Sequence, residues 1–75
     1  MSEKTEPYEK RYGNIAIEKG FITPEQLMEA MNIQVMEEIN DGNHRLLGVI
    51  LFEKKFITLM QDKEVLDALA ILLLK

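Results

Sequence analysis

Sliding the chain against itself by 35 residues lays 10–40 over 45–75, and nine of the 31 superposed pairs are identical. They are Gly13/Gly48, Ile15/Ile50, Glu18/Glu53, Lys19/Lys54, Phe21/Phe56, Ile22/Ile57, Thr23/Thr58, Gln26/Gln61 and Glu29/Glu64. No gap is needed, and the identities bunch around one turn. Lys10/Arg45, Tyr12/Leu47 and Met31/Leu66 add chemical similarity. A period of this length marks helical repeats, whose units each carry a hydrophobic face that only a neighbour can cover. The expected fold is therefore all-α: four helices as two tandem helix–turn–helix units, 10–40 and 45–75, in a single domain spanning 8–75. Residues 1–7 are expected as a disordered tail.

The shared turn has a chemical reading. Thr23-Pro24-Glu25-Gln26 is a capping box, in which the threonine hydroxyl and the glutamine side chain each satisfy an orphan backbone amide. Pro24 suits the first helical position, where no amide is required. Thr58-Leu59-Met60-Gln61 repeats the box, and Ile22 and Ile57 stand where a hydrophobic staple begins. Gly20 can end a helix in the left-handed conformation; Lys55 takes its place in the second unit. Helices are thus expected over 8–19, 24–39, 44–54 and 59–74. Asn40-Asp41-Gly42-Asn43 separates the units, with Asn43 as cap of the third helix. Val49-Ile50-Leu51-Phe52 is the most strand-like segment by propensity, so it tests the all-helical reading. Tyr12, Ile15 and Ala16 form one core stripe, and Leu27, Met31, Val35 and Ile39 another.

Composition narrows the function. A 47% apolar share suits a globular domain, and the absence of cysteine removes disulfides and thiolate metal sites and agrees with a reducing, cytoplasmic location. Met1-Ser2-Glu3-Lys4-Thr5-Glu6 is charged with no apolar stretch behind it, so no signal peptide is expected. The run Ala68–Leu74 falls far short of the ~20 residues that span a bilayer, so no membrane insertion is expected. Net charge −4 disfavours nucleic acid. A DNA-reading helix after Phe21-Ile22-Thr23 is opposed by Glu25, Glu29, Glu37 and Glu38, with no Lys or Arg among them.

No catalytic constellation is visible, and an enzyme is not expected. His44, the sole histidine, reads as a solvated residue near a helix start, and Asp41-Gly42-Asn43-His44 lacks the alternating oxygen ligands of a calcium loop. Neither a metal nor a cofactor is expected. Met28, Met31 and Met36 read first as core fillers and second as an adaptable binding surface. The last helix is apolar all round, and such a helix must be covered on every side. Val65, Leu66, Leu69, Ile71, Leu72 and Leu73 are therefore expected to form an interface with a second copy or another protein.

The pattern resembles the N-terminal domain of type II secretion and type IV pilus-assembly ATPases. That domain carries two tandem units of the form R-L-G-x-x-L-x-x-x-G-x-I-x-x-x-x-L-x-x-x-L-x-x-Q, which in some members cradle cyclic di-GMP. The likeness spans residues 11–69. Arg11, Gly13, Gly20, Ile22, Leu27, Met31 and Gln34 fit the first unit, with Tyr12 and Ala16 where the family has Leu. Leu47, Gly48, Leu51, Ile57 and Leu66 fit the second. There Leu46 holds the Arg position with Arg45 one residue early, Lys55 replaces Gly, Asp62 replaces Leu, and Leu69 replaces Gln. The resemblance implies a ligand site at Arg11, Gly13, Gly20, Gln34, Arg45 and Gly48. Arg11 would meet guanine or phosphate, Gly13 would admit the ligand to the backbone, and Gln34 would bond its edge. No G-x-x-x-x-G-K-[ST] loop is present. The expectation is an interaction or adaptor module related to the secretion and pilus machinery, with a cyclic di-GMP sensor as the alternative.

Overall fold

The computed structural model describes residues 6–73, with side chains over 9–72. It contains four helices: α1 (Glu6–Glu18), α2 (Pro24–Asp41), α3 (Leu47–Glu53) and α4 (Leu59–Leu73). No strand occurs among the described residues, and Val49–Phe52 lies within α3. The protein is all-α. Helix α1 begins at Glu6, so the last two residues of the expected tail belong to it; residues 1–5 and 74–75 lie outside the described chain.

The helix ends follow local chemistry. Thr23 Oγ1 accepts from the Gln26 amide at 3.1 Å, and Gln26 Oε1 accepts from the Thr23 amide at 3.0 Å. Thr58 and Gln61 make the same two bonds at the same two distances. Ahead of each box the chain reverses through a left-handed residue, Gly20 at φ 78° and Lys55 at φ 66°. The Phe21 amide then donates to the Ala16 carbonyl, and the Phe56 amide to the Leu51 carbonyl, both at 2.9 Å. These bonds satisfy carbonyls that a helix end would otherwise orphan.

Helix α3 departs from expectation. Its cap position is Leu46, whose side chain makes no capping bond, and Asn43 lies in the irregular stretch before it. The cap comes instead from another helix. Glu9 of α1 is buried, and its Oε1 accepts from the Leu47 amide at 3.1 Å. A carboxylate at a helix start is favoured by the amides and the dipole together.

Helix α1 packs chiefly on α4, and α2 on α3, while α3 also touches α1 and α4. Exchanging α1 with α3 and α2 with α4 returns the two main pairings. The helices of each expected unit therefore lean on the other unit more than on each other. Ten buried apolar residues stand as five pairs 35 positions apart: Tyr12/Leu47, Ile15/Ile50, Ala16/Leu51, Ile22/Ile57 and Ala30/Val65. Leu69 completes the core; its counterpart in that register, Gln34, is half-buried.

The α2 stripe is the clearest correction. Ala30 is the buried residue of α2, with Leu27 and Ile33 half-buried against the core. Met31, Val35 and Ile39 are exposed, as are Met28 and Met36. At about 100° per residue, each four-residue step drifts about 40°, so a row begun at Leu27 has turned about 120° by Ile39. The row leaves the core as it ascends.

Lys55 offers a direct test. A side chain in the left-handed region costs roughly 1–2 kcal/mol, while glycine costs roughly 0.5–1 kcal/mol of extra chain entropy. Lys55→Gly is expected to raise unfolding free energy by about 0.5–1 kcal/mol, read from urea denaturation. Gly20→Ala should lower it.

Candidate interaction surface

The residues assigned by resemblance to a ligand site are mostly engaged within the fold. Gln34 donates from Nε2 to the Arg45 carbonyl at 2.7 Å and to Glu9 Oε2 at 3.4 Å. Arg45 donates from Nε and Nη2 to the two carboxylate oxygens of Glu37, at 2.9 and 2.6 Å, and from Nη1 to Glu53. This two-pronged grip is the geometry a planar guanidinium favours. Arg11 is exposed on α1.

Gly13 and Gly48 are occupied by packing. A Cβ on Gly13 would fall 2.8 Å from Leu27 Cδ2, so α1 and α2 meet there. A Cβ on Gly48 would fall 2.7 Å from Asp62 Oδ1 and 2.8 Å from the Tyr12 hydroxyl. Leu27 and Asp62 are themselves 35 residues apart, so both units use their glycine to admit the same position of the next helix. Over Gly48 that position is a carboxylate, which accepts the Tyr12 hydroxyl hydrogen bond. Gly20 serves the turn, and space beside it is open.

Beside Glu9 lies a polar knot. His44 Nδ1 pairs with Glu38, and its Nε2 stands 3.8 Å from Glu9 Oε2. His44 is exposed, as expected, and it faces these two carboxylates. Among the described residues, no group of three His, Asp or Glu side chains converges as a metal would require.

The expected C-terminal interface divides. Val65 and Leu69 are 0% and 1% exposed within the chain's own core, so they are not available to a partner. They lie on the core face of α4, which the all-round apolarity of the helix could not disclose. Leu66, Ile71 and Leu72 are exposed, and the Leu73 side chain lies outside those described. No described helix is long and apolar enough to cross a membrane.

A second apolar surface lies on α2, where Met28, Val35 and Ile39 are 67%, 49% and 72% exposed on the side opposite Ala30. Met31 borders them. Sequence reasoning named these residues and placed them inside. The available signal was Ala30, the small residue on the face that approaches α3.

The chain matches no known protein family, no individually characterised protein and no solved structure.

The Arg45–Glu37 pair has a pH signature. Hydrogen bonds from Arg45 hold the Glu37 carboxyl below its ordinary value of 4.5, against a smaller opposing effect of burial, with charge attraction adding to the lowering. The same bonds push the Arg45 guanidinium above its own ordinary value. A depressed carboxyl contributes stability that is present above the unfolded value and lost as pH falls through the folded one. Urea denaturation from pH 7 down to pH ~3 should show the wild type losing more stability below 4.5 than Glu37→Gln. Parallel profiles would mean that the pair contributes nothing to folding.

Proposed function

We propose that the chain is a non-catalytic adaptor module, a duplicated helical relative of the regulatory N-terminal domain of secretion and pilus-assembly ATPases, which holds a protein partner on the outer face of α2. One observation carries this reading: α2 has an apolar row directly opposite the face that packs on the core. A surface helix ordinarily turns polar residues outward. Here Met28, Met31, Val35 and Ile39 lie outward instead, and contiguous apolar exposure of this kind marks an interaction site. Flexible methionines suit it, since an unbranched thioether adapts to the surface it meets. The cysteine-free composition fits a reducing compartment, the cytoplasm.

Charge narrows the partner. Helix α2 contains Glu25, Glu29, Glu37, Glu38 and Asp41 and no Lys or Arg. Lys54 and Arg45, supplied from outside α2, pair with Glu29 and Glu37. At about 100° per residue, Glu25 and Glu29 flank the row while Glu37, Glu38 and Asp41 turn toward the Ala30 side. With no cation from α2 beside the row, the face suits a basic amphipathic helix better than a second copy. A model helix of alternating leucine and lysine faces should perturb amides along 28–39 in an NMR titration, and Val35→Glu should weaken it at least about tenfold. The matching leucine–glutamate helix should have no effect. Equal binding of both peptides, or none of either, would overturn the reading.

The alternative, a cyclic di-GMP sensor, requires Gln34 and Arg45 to release the partners they hold. It also sets a dianion near Glu9, Glu37 and Glu38. Calorimetry is expected to give no heat at tens of micromolar ligand. Submicromolar binding abolished by Arg11→Ala would replace the adaptor reading with the sensor.

A further inference from the structure

A hollow of about 190 Å³ opens between α3 and α4. Leu46, Val49 and Phe52 wall it on one side, Leu59 and Leu66 on the other. Each of these five is between 40% and 65% exposed, so the walls are apolar and face solvent. The floor differs in kind. It is formed where Tyr12 bonds Asp62 over Gly48, with Glu9 alongside.

Asp62 is the informative residue. At the position 35 residues earlier, Leu27 fills the contact with Gly13 and closes it with hydrocarbon. In the second unit a carboxylate stands there instead, at the base of an otherwise apolar hollow. An ionised carboxylate has about four acceptor sites, and the Tyr12 hydroxyl uses one of them. A purely hydrocarbon occupant would strip water from that carboxylate without replacing it, which is costly. An anionic occupant would meet Asp62 and Glu9 together. A group with an apolar body and a cationic end satisfies both the walls and the floor, and a charged donor bonds a carboxylate more strongly than a neutral one.

We propose that this hollow is the socket for one long basic side chain, a lysine or arginine presented by a partner protein. Its aliphatic stem lies along Val49, Phe52 and Leu59, and its charged head meets Asp62. Long basic side chains bury their methylene stems against apolar surface while the head keeps polar contacts. The volume accommodates one such side chain. No residue of the socket belongs to the α2 face, so the two sites stand or fall separately.

The test is an NMR titration of the full chain with three probes of equal length: n-hexylammonium, hexanol and hexanoate. Hexylammonium should shift the amides of Gly48, Val49, Asp62 and Leu66 saturably and bind at least about tenfold more tightly than hexanol. Hexanoate should leave them unmoved. Asp62→Asn keeps the size of the side chain and should erase the preference for the cation. Leu59→Ser, at an exposed wall position, should weaken hexylammonium in a chain that still folds. Equal binding of hexanol and hexylammonium would overturn the proposal, leaving an apolar hollow only. So would hexylammonium shifts confined to α2, or no saturable shift at all.

Discussion

The buried carboxylate of Glu9 ties three of the four helices together. It leaves α1, accepts the first amide of α3 across 38 residues of sequence, and takes a hydrogen bond from Gln34 of α2. Each of these bonds supplies what its neighbour lacks. Helix α3 is seven residues long and has no capping side chain of its own. A helix that short is not stable in isolation. The carboxylate, 7% exposed, requires donors in return for its lost hydration. Cap and burial thus satisfy one another, and the position of α3 follows from the position of α1.

That anchoring explains why helices pair across the chain rather than within each expected unit. With α3 held against α1, the only surfaces left for α2 and α4 are the flanks, α2 on α3 and α4 on α1. Within each expected unit, Gly13 and Gly48 admit the helix that follows, α2 at Leu27 and α4 at Asp62. The core is then drawn from matching positions of both halves, down to the pairing of Ala30 with Val65. A chain of 75 residues buries little surface when folded. Interleaving lets each half cover the other.

The same economy leaves apolar surface over. Helix α2 touches the core through Ala30 and its neighbours, and its outward row of Met28, Val35 and Ile39 is exposed among the described residues. Residues of α3 and α4 line the hollow beside the Tyr12–Asp62 bond. Both surfaces are bordered or floored by carboxylates, and Arg45 and Lys54 are held in ion pairs. We therefore propose basic, amphipathic protein rather than nucleotide as what these surfaces meet.

What the sequence by itself determined is local or periodic. The capping boxes, the left-handed reversals at Gly20 and Lys55 and the all-helical class rest on interactions between residues within a turn or two of each other. Five pairs of buried apolar residues fall in the 35-residue register. Tertiary structure decided everything that depends on which side of a helix meets another helix. It turned Val65 and Leu69 inward and left Met31 and Ile39 outside, although all four are apolar. It also replaced Asn43 by Glu9 as the cap of α3. Hydrophobicity is a property of a residue, but burial is a property of a pair of surfaces. A helix apolar on more than one face cannot say which face is the core until a neighbour, placed here by one buried carboxylate, has covered it.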